Sequence, residues 1–213
     1  LTHTQEALRE SEERLRLALD AAHMGAFDWD MDNNHITWSR WHEELWGFRP
    51  GEFGGTYDAF SQRVHPDDLL DIEAKLDRCM VARSAFAHEF RVIWPDGSTH
   101  WIAGRGEFMF DSEGRPIRMR GAVVDITGQK QTETALRASE GHFRTIFEQA
   151  TDGILVSDVQ GRLLDANTAS CQMLGYSREE LLKLSNSDII VADEVARIQP
   201  EMNRLRGGDI VRS

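Results

Sequence analysis

FAHEFRVIWPDGSTHWIAGRGEFMFDSEGRPIRMRGAVVDIT, residues 86–127, contains three apolar-rich runs parted by two turns. Phe86, His88, Phe90, Val92 and Trp94 alternate with their neighbours at a period of two, the spacing of a half-buried strand. Pro95-Asp96-Gly97-Ser98 is a strong turn signal, and a second strand leaves it through Trp101. Asp111-Ser112-Glu113-Gly114 makes the next turn, so residues 117–126 are predicted to close a three-stranded meander.

The same alternation occurs upstream. Phe27, Trp29 and Met31 interleave with Asp28, Asp30 and Asp32, which places acidic side chains on a solvent face. Asn33-Asn34 supplies a turn because asparagine tolerates positive φ, and Ile36 and Trp38 continue the inward face on a second strand. Between the two groups of strands, Ser39 suits the cap of a short helix holding Trp41, Leu45 and Trp46, which Gly47 ends. A loop with Gly51, Gly54 and Gly55 follows. Pro66, with Asp67 and Asp68 behind it, opens a longer helix toward Arg83 with Leu69, Ile72, Leu76 and Met80 on one face. Two strands, a helical middle and three strands predict an α+β domain: a five-stranded antiparallel sheet with helices on one face, roughly 100 residues long.

Ahead of this domain, residues 4–22 place Ala7, Leu8, Leu15, Ala18, Leu19 and Ala22 along a charged helix that Gly25 is expected to end. The stripe is narrow and suits a seam against a partner helix. Leu8-Arg9-Glu10-Ser11-Glu12 then returns as Leu136-Arg137-Ala138-Ser139-Glu140, an offset of 136 − 8 = 128 that also relates Gly25 to Gly153, Asp30 to Asp158 and Gly47 to Gly175. Two copies of one architecture follow. The expected division is an amphipathic helix over 1–22, a first domain over 23–127, a helical linker over 128–150, and the N-terminal part of a second domain over 151–213. The second copy is expected to stop before its sheet is complete.

Of the 213 residues, 40% are hydrophobic and 28% charged, an ordinary globular balance. The net charge of −12 disfavours nucleic acid and anionic membrane surfaces as partners. Cys79 and Cys171 stand apart from one another and from any Cys/His cluster, which fits a reducing, cytoplasmic setting and offers no thiolate zinc site. No apolar run approaches the ~20 residues of a membrane span. Any such anchor of the parent protein is expected outside this stretch.

These residues resemble PAS domains, and in particular the PAS fold-3 type with a C-terminal PAC motif. The resemblance rests on Pro95-Asp96-Gly97-Ser98, Trp101, Asp111 to Pro116, and Asp125-Ile126-Thr127 followed by the polar run Gln129-Lys130-Gln131-Thr132-Glu133. In the second copy it rests on Phe143 to Ala150, Gly153-Ile154-Leu155-Val156, Asp158, Gly161, Asn167 and Met173-Leu174-Gly175-Tyr176. It implies tandem PAS domains from a bacterial signalling protein, in which such modules sense a ligand, a cofactor state or a partner. Their output is a histidine kinase first, and a cyclic-di-GMP cyclase or phosphodiesterase next. No output module and no catalytic centre is visible in these residues. The alternative role is a ligand-free scaffold that dimerises and spaces domains.

The candidate ligand cavity is Phe27, Trp29, Trp38, Leu45, Trp46, Leu69, Ile72, Leu76, Phe90, Val92 and Trp101, which as readily fill a core. A small ligand or none is expected, with flavin left open. Haem is disfavoured because residues 67–83 carry no histidine, which leaves only His88 and His100 on or beside strands. Cys79 lies outside the Asn-Cys-Arg motif of flavin photoadduct relatives. His42-Glu43-Glu44-Leu45 has part of a kinase phosphoacceptor box, but His42 falls in the short helix and is expected at the surface. Gly207-Gly208-Asp209 is expected to be a turn into a strand. Signal relay is assigned to Asp125, Ile126 and Thr127, with Asp125 holding the first N–H groups of the following helix and Thr127 capping it. The linker seam is Leu136, Phe143 and Phe147, and a homodimer is expected through the N-terminal and linker helices, each seam forming a short parallel coiled coil across the dimer.

Overall fold

A computed structural model describes residues 2–189. The chain divides into two compact units, one running to Glu133 and the other starting at Thr134. Helix α1, Thr2–Ala21, precedes the first sheet. It ends earlier than the sequence reading has it: His23 takes the left-handed conformation (φ 51°), and Gly25 opens a strand instead of closing a helix. Glycine is needed at 25 because a Cβ there would lie 2.6 Å from the Cα of His42.

The strands of the first unit are β1 (Gly25–Asp30), β2 (His35–Trp38), β3 (Phe86–Ile93), β4 (Thr99–Phe110) and β5 (Pro116–Asp125). They form one antiparallel sheet in the order β2-β1-β5-β4-β3. Helices α2 (Arg40–Leu45), α3 (Tyr57–Ser61) and α4 (Pro66–Ala82) connect β2 to β3. The short α3, inside the glycine-rich loop, escapes the sequence reading. The Thr56 side chain caps it by accepting the Ala59 N–H at 3.2 Å.

The helices bury one face of the sheet, where Trp46, Ile72, Phe90, Val92, Ile102, Met119 and Val123 form the centre of the core. On the opposite face Asp28 accepts hydrogen bonds from the guanidinium groups of Arg118 and Arg120, which hold its carboxyl below the usual range against the opposing effect of its own burial. Asp68 on α4 accepts from the Arg91 backbone N–H at 2.8 Å and from its Nε at 2.9 Å. The edge of β3 is further occupied by the segment before α4: His65 N–H donates to Arg91 O at 2.8 Å, and Ile93 N–H donates to Arg63 O at 2.7 Å.

In the second unit, helix α5 (Thr127–Gln149), which begins in the first, leads to strands β6 (Leu155–Ser157) and β7 (Leu163–Ala166), an antiparallel pair. Helices α6 (Thr168–Leu174), α7 (Arg178–Leu181) and α8 (Asn186–Ile189) follow. Leu163, Ala166 and Leu181 are its buried core. Whether the second sheet is completed, and the turn expected at Gly207-Gly208-Asp209, lie outside the described residues.

Gly121 sits at the middle of the first sheet, opposite Phe27 on one side and Gly106 on the other. A Cβ at 121 would collide with the Arg105 carbonyl oxygen and come within 2.6 Å of the Phe27 ring, so the ring can lie over the sheet only because both positions are glycine. Gly121→Ala is expected to lower unfolding stability by about 1–3 kcal/mol in urea melts. Gly128→Ala, in the first turn of α5 with nothing within 4 Å of the new methyl, should stay within about 1 kcal/mol of the parent, on the stabilising side.

Candidate functional site

The covered face of the sheet encloses a cavity. Its walls come from every element of the domain: Phe27 and Trp29 on β1, Ile36 and Trp38 on β2, His42 and Trp46 at α2, and Tyr57 and Phe60 on α3. The rest is Ile72 and Leu76 on α4, Phe86 and Phe90 on β3, Gly104 on β4, and Met119 and Val123 on β5. The space that the centre of a water molecule can occupy is about 60 Å³. That is roughly four or five water-sized spheres, room for one small ring.

Seven of the eleven residues expected at a cavity are on this wall: Phe27, Trp29, Trp38, Trp46, Ile72, Leu76 and Phe90. Leu45 and Val92 are buried in the core beside it, and Leu69 packs partly buried against that core. Trp101 is on the other face of the sheet, because it pairs with Arg91 and so takes the opposite parity from Phe90 and Val92. There the Arg91 guanidinium and the Lys130 ammonium lie 5.6 Å and 5.2 Å from its ring centroid.

His42 departs furthest from its expected surface position. It is 2% exposed and stacks parallel to Trp38 at 4.0 Å, 16 residues on from Ala26, whose carbonyl faces its Nδ1 at 3.3 Å. A carbonyl only accepts, so Nδ1 carries the proton and Nε2 is left as an acceptor. Burial pushes its pKa down to about 3, partly opposed by that bond. Burial likewise pushes the Tyr57 hydroxyl up to about 12, with Glu73 and Asp77 adding to it. Both groups are neutral near pH ~7. The buried carboxylate of Glu43, next in sequence, accepts from the backbone N–H of Gly51 at 2.8 Å and of Phe53 at 3.3 Å, and so shapes the loop that lays Phe53 on Trp38 at 3.5 Å. A helical period would have shown positions 42, 45 and 46 on one face, the one signal in the sequence that His42 points inward.

Val123 lines the cavity, and two residues later Asp125 accepts the Thr127 N–H at 2.6 Å, at the start of α5. The Thr127 hydroxyl does not cap that helix. It accepts the Trp101 N–H at 2.9 Å, while Ile126 N–H donates to the Trp101 carbonyl, which extends the β4–β5 ladder by one step into the helix. Lys130, one turn on, reaches Glu89 on β3 at 2.7 Å. Of the seam residues, Leu136 and Phe143 are 58% and 59% exposed, but Phe147 is 4% exposed. Its carbonyl accepts from the Asn167 side-chain amide at 2.9 Å, which assigns it to the second unit's interior. Among the described residues no helix is long and apolar enough to cross a membrane.

The 128-residue repeat is written into the hydrogen bonds. Ser39 Oγ accepts from Ala26 N–H at 2.9 Å and from His42 N–H at 3.4 Å. Asn167 Oδ1 accepts from Ile154 N–H at 2.8 Å and from Ser170 N–H at 2.9 Å, each residue 128 positions further on.

Comparison with known proteins gives a consistent picture. A family profile described as PAS fold matches residues 35–123, and one described as PAS domain matches residues 141–207. The sensor protein FixL of Bradyrhizobium diazoefficiens is 28% identical over 194 residues, 91% of this chain and 36% of that protein. The probable diguanylate cyclase DgcE of Escherichia coli is 25% identical over 182 residues, 85% of this chain and 16% of that protein. The chain therefore spans about a third and about a sixth of these relatives' lengths. A solved structure of a sensory box histidine kinase/response regulator from Burkholderia thailandensis is 30% identical and superimposes with a TM-score of 0.55, covering 62% of this chain and 98% of that one.

The neutral His42 gives a pH test of the cavity. Unfolded, the imidazole takes up a proton near pH ~6.5; folded, it does so only near about 3. Across that window protons favour the unfolded chain, so its contribution to stability falls as pH drops, by up to about 1.4 kcal/mol per unit. His42→Phe keeps a ring on Trp38 and leaves the Ala26 carbonyl bonded to Ser39 N–H. Urea melts at pH ~7 and ~5 should show the stability difference moving toward the variant by about 2 kcal/mol. A movement below about 0.5 kcal/mol means that the imidazole is not held neutral.

Proposed function

The chain belongs to the PAS family, as two domains in tandem, and from that premise we propose that its first domain is a sensory input module. Its cavity takes a small ligand, and β5 carries the change into α5 toward an output domain of the same protein, a histidine kinase first and a diguanylate cyclase or phosphodiesterase next. The fragment itself supplies no reaction chemistry. The observation that carries this reading is the two-residue separation on one strand between Val123, on the cavity wall, and Asp125, which holds the first N–H of α5.

The mechanism is a bias between two settings of the β5–α5 junction. A ligand between the helices and the sheet bears on Val123 and Gly104, which are paired across β4 and β5. Any displacement of β5 reaches the Asp125 carboxylate and the Thr127 hydroxyl, the two side chains that fix the start of α5 to the ends of β5 and β4. Only a difference in ligand affinity between the settings can move the equilibrium, with couplings typically of ~1–3 kcal/mol. The module works in the cytoplasm, with any membrane anchor of the parent protein elsewhere in its chain.

A second reading, ligand-free dimerisation and spacing, is favoured by the exposed Leu8 and Leu15 on α1 and Leu136 and Phe143 on α5, each pair seven residues apart. Such a heptad pair is a coiled-coil seam in want of a partner. The two readings are compatible, since a homodimer seam on α5 gives the output domain a symmetric lever.

In the full-length parent protein, Asp125→Ala and Thr127→Ala should each collapse the stimulus-dependent change in output, expected at about fivefold or more, while basal output persists. An unchanged response discards this route. For the seam, Leu136→Glu with Phe143→Glu should convert a dimer to a monomer in sedimentation equilibrium. A parent chain that is already monomeric removes the dimer reading.

A further inference from the structure

Gly104 stands in the middle of β4, on the cavity wall and paired across the sheet with Val123. Glycine inside a strand weakens it, and often marks a place where something else comes close. For the other glycines of this sheet that neighbour is the protein itself. A Cβ at Gly25 or Gly106 would lie 2.6 Å from a neighbouring atom, and one at Gly121 would collide with the Arg105 carbonyl. A Cβ at Gly104 meets only the side chains of Phe90, Phe86 and Val123, at 3.4, 3.7 and 3.8 Å, which is ordinary contact. Its φ is not positive either. Neither packing nor backbone requires glycine at 104, and what the missing side chain does is leave room in the cavity.

The walls define what that room can take. They are almost wholly apolar, and no lysine, arginine, aspartate or glutamate lines them. The ring nitrogens of Trp29, His42 and Trp46 have no accessible surface, so these residues present carbon to the space. A water held there needs two or more polar partners, which such walls do not offer. An ionised guest would lose its hydration without gaining a counter-charge, and a hydroxyl would give up its water partners for none. Eight of the fifteen lining residues are phenylalanine, tryptophan or tyrosine, whose rings offer edge and face contacts to another ring.

Resting on the sensory reading above, we propose that the cavity is a receptor for one apolar aromatic ring, a monocyclic hydrocarbon of the benzene class, seated on Gly104 and Val123 beside Phe86 and Phe90. The absent side chain at 104 sets the size limit. A ring in this position bears directly on the β4–β5 pair, and so on the strand that leads to α5.

Isothermal titration of the purified chain with benzene, phenol and benzoate tests this. Benzene should bind at one site, phenol about tenfold more weakly because its hydroxyl finds no partner, and benzoate not at all. Gly104→Ala places a methyl group in the space the ring needs and should weaken benzene about tenfold, while the urea midpoint stays at or above that of the parent. Val123→Ile, which adds a methylene from the facing strand, should act in the same direction. Phenol or benzoate binding more tightly than benzene would overturn the hydrocarbon assignment and leave a sensing cavity of another chemistry. Benzene bound alike by the parent and both variants would place the ring elsewhere and overturn the site. If none of the three binds, the proposal falls, while the sensory reading still stands or falls with the output of Asp125→Ala and Thr127→Ala.

Discussion

β5 is the final strand of the first domain in sequence and the middle strand in space, bonded to β1 along one edge and to β4 along the other. A central strand cannot shift without its neighbours, because each of its backbone groups belongs to one ladder or the other. The rest of the domain is arranged around that constraint. The glycines at 106 and 121 let Phe27 lie over the strand, Met119 and Val123 face the cavity, and Asp125 opens α5. The exit from the domain thus leaves from the central strand of the sheet, which is bonded along both edges.

Much of this was legible in the residues themselves. Period-two alternation located β1, β2 and β3, and the Pro95-Gly97 and Asp111-Gly114 turns placed β4 and β5 after them, because such turns, like Asn33-Asn34, depend on local chemistry that a sequence states outright. Depth was harder to read. Trp101 looks like the tryptophans of the cavity until pairing with Arg91 turns it to the other face, and register is a property of two strands, not of one. His42 shows the opposite error: histidine is usually polar and exposed, yet here it serves as a flat neutral ring against Trp38. Thr127 has the composition of a cap but spends its hydroxyl on a neighbouring strand, a partner 26 residues away. Long-range partners of this kind leave no local trace.

The two copies share a framework and differ in filling. Ser39 and Asn167 tie equivalent strands to equivalent helices, and Gly47 and Gly175 both end those helices in the left-handed conformation, with φ of 72° and 74°. The side chains between these fixed points diverge. Trp38, His42 and Trp46 correspond, at the offset of 128, to Ala166, Ser170 and Leu174. The backbone architecture is held by a few polar anchors, and that leaves the interior free to vary in size and polarity. The aromatic wall is thus a property of the first copy's residues, not of the fold.

The segment from Arg63 to Asp68 has a consequence beyond its place in the first domain. Where β3 would otherwise present a bare row of amides and carbonyls, Arg63, His65 and the Asp68 carboxylate occupy that row before any other strand can reach it. Unprotected borders are where sheets fuse, and chains that carry the same topology twice are the most exposed to exchanging strands between copies or between neighbouring molecules. Sealing this border lets two related sheets be made on one polypeptide with a reduced hazard of mispairing during synthesis.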